Sequence, residues 1–364
     1  MSAARPPEGA HAGCLMTSIT RSLGRRAPPR ARVTRRALAG AAWTLAWTAA
    51  WACALALFAS RAHAAPLTLA VSSGPVSLPV YVAQERGLFK EEGLDLALRP
   101  CASGRECYKW LADGQVDVAT AAELLVATGG ASRHDLAIVA TISASSYQIK
   151  LVARRSAQIM EAPQIRGKRI GTVPGSSAQY FLDNWLVFND IQPDAVHVVG
   201  LAPDQIVPAL ENRGVDAVVI WEPLAALAAQ SLGGDAVTFA SPRVYTQHFN
   251  LVSARPTIAR READIERLLR ALVKAQRIIR DEPAAARALL AERLHLAPAV
   301  AAAVMDGQDY RVRLDQSLVT TMQGEARWAA RAGGSAAAAG VDVLRSIDPA
   351  PLHRVDAAAV GLVQ

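Results

Sequence analysis

Leu111-Ala-Asp-Gly-Gln-Val-Asp-Val-Ala119 and Leu210-Glu-Asn-Arg-Gly-Val-Asp-Ala-Val218 are one short pattern written twice. In each, a leucine precedes an aspartate by six positions, a glycine lies between them, and Val-Asp opens an apolar run. The glycine marks a helix stop and the run a buried strand. Polar positions follow both copies, Thr120 to Glu123 in the first and Trp221-Glu222 in the second. A unit of helix end, turn, strand and loop that is built twice predicts two similar lobes. Two lobes joined by crossover segments leave a cleft in which a small ligand fits.

Around each copy, short apolar runs alternate with helical periodicity. In the first half strands are expected at 67–71, 94–98 and 116–119, helices at 79–86, 105–111 and 124–128, and paired strand-like runs at 136–142 and 148–153. The second half repeats the scheme, with strands at 169–173, 195–199 and 215–220 and helices at 176–188 and 204–210. After Asn250 to Ser253 the pattern is helical to the end, most regularly over 265–280. Such alternation predicts parallel α/β sheets covered by helices on both faces.

The first 64 residues stand apart. Residues 1–36 hold eight Arg and one acid, 37–60 hold no charge, and Arg61-Ala-His-Ala64 supplies a small-x-small cleavage pattern. A signal peptide cut before Ala65 is expected. The uncharged run is also long enough to span a bilayer, so a retained anchor is the alternative. Thr34-Arg-Arg-Ala-Leu38 resembles a twin-arginine signal without its usual flanks, and the general secretory route is preferred. Nine of the 39 Lys/Arg and one of the 32 Asp/Glu fall in this leader, so the net charge of +7 becomes about −1 in the remaining 300 residues. Basicity therefore belongs to the leader and argues against a nucleic-acid surface. Cys14 and Cys53 leave with it. Cys101 and Cys107, six apart, are expected to form a local disulfide in an oxidising compartment, two buried thiols being the alternative.

Leu78-Pro-Val-Tyr-Val-Ala-Gln-Glu-Arg-Gly-Leu-Phe89, Glu92-Gly-Leu-Asp-Leu96, Ile165-Arg-Gly-Lys-Arg-Ile-Gly171 and Trp221-Glu-Pro223, with the late segments 309–311 and 314–328, resemble the periplasmic substrate-binding proteins of nitrate, sulfonate and taurine type ABC importers. The resemblance runs over about 66–362. It implies a two-lobe type II periplasmic binding-protein fold, α/β with mixed sheets flanked by helices and a ligand cleft between the lobes. Lobe I would take 65–149 and 248–364 with the C-terminal helices, lobe II would take 150–247, and hinge strands would cross near 148–153 and 246–252. It also implies an exported, non-enzymatic, monomeric receptor that delivers a small polar or anionic solute to ABC permease and ATPase subunits, with no cofactor and no metal. A ligand-sensing partner of a signalling system would use the same cleft. Relatives of the fold include sulfinate-cleaving and thiamin-pyrimidine-synthesising enzymes, which would want a catalytic Cys in the first cleft loop or a Cys-rich iron motif; neither is present.

In open α/β sheets, ligands sit beyond the carboxyl ends of the strands, where helix N-termini present free N–H groups. Four loops qualify, and they give Ser73, Gly74, Ser77, Ala122, Glu123, Gly175, Ser176, Ser177, Trp221 and Glu222 as expected ligand contacts. Ser145 joins them at the first crossing, beside Ser143, Ser146 and Tyr147. Gly175 permits a tight turn, while Ser176 and Ser177 cap a helix or donate to an oxyanion. Trp221 stacks on a ligand or fills the core. Glu123 and Glu222 would repel a simple anion, which leaves an amine or an amidine-like ring as open as a sulfonate. No enzymatic constellation accompanies these residues. None of His134, His197, His248, His295 and His353 pairs at metal spacing or stands beside a nucleophile, and the segment from Gly171 to Ser177 lacks the lysine of a phosphate loop.

Overall fold

The computed structural model describes residues 65–129, 135–239, 244–331 and 342–363, so the leader at 1–64 and His134 lie outside the described residues. The strands are β1 (Leu67–Ser72), β2 (Leu96–Cys101), β3 (Val118–Ala122), β4 (Leu136–Ser145), β5 (Ile149–Arg154), β6 (Arg169–Thr172), β7 (His197–Gly200), β8 (Ala217–Trp221), β9 (Ala236–Phe239), β10 (Gln247–Ala254), β11 (Leu314–Asp315) and β12 (Val360–Gly361). The helices are α1 (Leu78–Glu85), α2 (Leu88–Glu91), α3 (Gly104–Ala112), α4 (Glu123–Gly129), α5 (Ser177–Phe188), α6 (Ile206–Glu211), α7 (Leu224–Leu232), α8 (Arg255–Arg260), α9 (Glu262–Asp281), α10 (Pro283–Leu294), α11 (Pro298–Asp306), α12 (Gln316–Arg331) and α13 (Ala350–Val355).

Two five-stranded sheets form, in the orders β2-β1-β3-β10-β4 and β7-β6-β8-β5-β9. The two orders describe one topology: three parallel strands, then an antiparallel strand, then an outer fifth. The repeated Val-Asp sets the register in both. Asp117 accepts the Thr68 N–H at 3.0 Å and the Thr68 hydroxyl at 2.8 Å, stapling β3 to the start of β1. Asp216 accepts the Arg169 N–H at 2.9 Å at the start of β6, and pairs with the Arg154 guanidinium at 3.0 Å. A half-buried aspartate that satisfies an N–H at the start of the neighbouring strand penalises any slip of the pair.

The runs at 136–142 and 148–153 do not pair with each other. β4 lies beside β10 in the first sheet, and β5 lies between β8 and β9 in the second. Their closeness in sequence reflects a crossing at Ser146 to Gln148 rather than a hairpin. β5 and β10 each sit wholly within one sheet, so the chain crosses before them, and the Ser146 and Thr246 hydroxyls tie the two crossings at 2.6 Å. β2 begins two residues later than expected and runs through Pro100, which an edge strand tolerates. β3 continues through Ala122, so Thr120 to Ala122 is strand rather than loop. β9, α7 and the short parallel pair β11–β12 were not expected.

α9 places Ile265, Leu268, Leu269 and Leu272 in the first core, an i, i+3, i+4, i+7 stripe. In the second sheet, Phe181 and Trp185 of α5 fill one core and Ile206 and Leu210 of α6 belong to another. α12 spans both layers, with Leu318, Val319 and Met322 in the first core and Trp328 in the second.

Candidate functional site

The carboxyl ends of all six parallel strands meet around one cavity of about 190 Å³. Ser72 ends β1 and Ser73 and Gly74 follow it, Ala102 to Arg105 follow β2, and Ala122 ends β3 with Leu124 and Leu125 after it. From the second sheet come Val173, Ser176 and Ser177 after β6, Pro203 after β7, and Trp221 and Glu222 at the end of β8. Gln148 enters from the first crossing, and Gln247 and Phe249 from β10.

Of the expected contacts, Ser73, Gly74, Ala122, Ser176, Ser177, Trp221 and Glu222 line this cavity, and Ser77, Glu123, Ser145 and Gly175 do not. Ser77 is fully buried in the turn Pro75–Ser77. Ser145 donates its hydroxyl to the Gly307 carbonyl and accepts the Tyr147 N–H. Gly175 sits one residue behind the wall in a left-handed conformation, φ +62°, where a side chain would be strained.

Glu123 opens α4 but is fully buried away from the cavity. Its carboxylate accepts the Tyr245 hydroxyl at 2.7 Å and the His248 N–H at 3.0 Å. The same hydroxyl lies 3.1 Å from Glu325 of α12, also fully buried. Burial, and after it the charge of Glu123, holds the Glu325 carboxyl well above its ordinary range.

Glu222 does line the cavity, yet its charge is spoken for. It pairs with the Lys150 ammonium at 2.6 Å and accepts the Ala226 N–H at 2.9 Å in the first turn of α7. The two serines before α5 divide their work. Ser176 donates to the Val173 carbonyl at 2.6 Å and accepts the Ala178 N–H at 3.2 Å, which makes it the helix cap. Ser177 accepts the Gln247 amide at 2.6 Å and keeps its own O–H to donate.

Ala102 to Arg105 are not among the expected contacts: the apolar pattern ends at Leu98, whereas β2 runs on to Cys101 and the turn after it reaches the cleft. The signals were there. Cys101 and Cys107 are disulfide-bonded and bracket this turn, and Ser103-Gly-Arg-Glu106 carries the Ser-x-x-Glu pattern of a helix start. Ser103 accepts the Glu106 N–H at 3.3 Å, and the Glu106 carboxylate accepts the Ala102 N–H at 2.7 Å. The turn presents Arg105, whose guanidinium donates to the Gly175 carbonyl of the opposite layer at 2.6 Å.

A family described as NMT1/THI5 like matches residues 74–286, more than half of the chain. A putative aliphatic sulfonates-binding protein of Bacillus subtilis (strain 168) is 27% identical over 182 residues, which is 49% of this chain and 55% of that protein. A 4-amino-5-hydroxymethyl-2-methylpyrimidine phosphate synthase of Saccharomyces cerevisiae is 26% identical over 99 residues, 27% of this chain and 29% of that one. The chain thus spans about half or less of the length of the curated relatives it matches. Among solved structures, the periplasmic aliphatic sulphonate binding protein of Escherichia coli superposes with a TM-score of 0.69 at 18% identity, over 78% of this chain and 92% of that chain. At that identity the likeness establishes the two-lobe periplasmic binding-protein fold. With the matched region covering more than half of its length and that fold around its cavity, the chain belongs to the NMT1/THI5-like family.

Proposed function

We propose that this protein is an exported, periplasmic solute-binding receptor that closes on a small anionic or polar solute and presents it to the permease and ATPase of an ABC importer. The observation that carries the reading is the convergence of six strand ends on one cavity between two topologically identical sheets. Such a cavity opens and closes by movement about the crossings, and a ligand stabilises the closed arrangement by its differential affinity for it. The chemistry offered there is hydrogen bonding from Ser177 and backbone N–H groups, one guanidinium, and an apolar wall. Binding without turnover fits that inventory, and the match to sulfonate-binding relatives supports it.

The reading is tested by thermal shift against sulfonates, nitrate, carboxylates, amino acids and pyrimidines. Ligand at a hundred times its dissociation constant adds about 2.7 kcal/mol, which raises the melting temperature measurably. One chemical class that stabilises the protein and is recovered unchanged is the expected result. A hit that is consumed would make the protein an enzyme on the same fold.

A further inference from the structure

We infer that Arg105 reads the charge of the ligand, and that the cavity selects a monoanion with an apolar body over inorganic anions and over amino-bearing zwitterions. This rests on the cavity being the solute site proposed above.

Among the described residues, the charged side chains that line the cavity are Arg105 and Glu222. Glu222 is neutralised by Lys150 and engaged by the α7 N–H of Ala226. An ammonium entering the cavity would have to displace Lys150 from a side chain only 2% exposed, so a zwitterion finds no acceptor for its cation. Glu106, next to Arg105, is spent on the Ala102 N–H. Arg105 is left holding a neutral acceptor, the Gly175 carbonyl. Exchanging that carbonyl for an oxyanion replaces a singly charged hydrogen bond with a charge-assisted pair in which both partners are ionised, and the guanidinium fork suits two oxygens at once. Arg105 comes from the first layer and the free Ser177 hydroxyl from the second, so one anionic group engaging both would bridge the layers.

The rest of the wall sets the body. Val76, Leu124, Leu125, Val173, Trp221 and Phe249 present apolar surface to the cavity. Nitrate covers none of it, whereas an organic body removes that surface from water.

The experiment is calorimetric titration of the wild type, Arg105→Gln and Arg105→Lys with benzenesulfonate, its neutral counterpart benzenesulfonamide, nitrate and taurine. Wild type is expected to prefer benzenesulfonate over each of the others at least tenfold. Arg105→Gln is expected to lose ten- to a hundredfold for benzenesulfonate and to leave benzenesulfonamide unchanged, and Arg105→Lys to fall between. Arg105 is exposed, so the unliganded melting temperatures of the variants should match the wild type. Equal loss for sulfonate and sulfonamide, no loss for either, or taurine or nitrate binding as tightly as benzenesulfonate would overturn the inference while leaving the receptor reading in place. Binding only of neutral or cationic solutes in a wider panel would do the same. Silence from every solute would overturn both.

Discussion

Ser176 and Ser177 are adjacent and chemically alike, yet the fold gives them different tasks. Ser176 has its donor and an acceptor committed to Val173 and Ala178, so Ser176→Ala removes a helix cap and is expected to cost about 1 kcal/mol, seen as a lower melting temperature with solute affinity unchanged. Ser177→Ala instead removes the hydroxyl that faces the cavity and should weaken solute binding five- to tenfold in titration calorimetry. The reverse assignment of effects would exchange their roles. Sequence alone placed both serines at the site but left capping and donation open, because that choice depends on which hydroxyl Gln247 reaches from seventy residues away. Glu123 illustrates the limit more sharply. Its position after a Val-Asp strand resembles that of Glu222, but β3 runs into α4 without a loop and carries the side chain into the core.

Among the elements, the turn between β2 and α3 is the one whose geometry the cavity depends on most. The disulfide closes it at both ends, with Cα atoms 5.7 Å apart, and of the residues inside the ring Ala102 to Arg105 are cavity wall. A loop this small contributes about 2 kcal/mol through loss of unfolded-state freedom. Joint replacement of Cys101 and Cys107 by Ser is therefore expected to lower stability by about that amount in urea titrations. It should also weaken binding of whichever solute stabilises the protein, because Arg105 then moves with a freed turn. Loss of stability with affinity intact would show that the bonds of Ser103 to the Glu106 N–H and of Glu106 to the Ala102 N–H orient Arg105 unaided. The long amphipathic α9 and the strands beside the repeated Val-Asp were legible because hydrophobic period and turn residues agree there. β9 was not: at 236–239 it is a short, partly exposed edge strand with too few residues to show a period.

At the scale of the molecule, the twin-lobe plan could be read from two copies of nine residues, while the contacts that join the layers could not. Those contacts centre on Tyr245, which precedes β10. Its ring packs edge-on against Tyr180 of α5 with centroids 5.1 Å apart, and its hydroxyl bridges Glu123 of α4 and Glu325 of α12. Trp328 of α12 adds a bond to Asp183 of α5 at 2.7 Å. The groups facing Glu325 are thus Glu123, Tyr245 and Tyr180, with the ring of His248 3.8 Å from Glu123. Because the Glu325 carboxyl is held higher in the folded state than in the unfolded one, its contribution is most favourable below its unfolded pKa, about 4.3, and is lost as pH rises toward its raised folded value. The slope is about 1.4 kcal/mol per pH unit in that window. Asp216 and Asp309, whose carboxyls are held low by Arg169 and by Arg311 and Arg313, contribute in the opposite sense, and only at acid pH. Glu325→Gln keeps the shape and removes the proton equilibrium. Its melting temperature should therefore gain on the wild type as pH rises above the ordinary carboxylate range. Asp183, raised by burial alone, bends both profiles equally and drops out of the difference. Parallel profiles across that range would mean that Glu325 ionises freely in the folded protein and that the layers are joined by packing around Tyr245 alone.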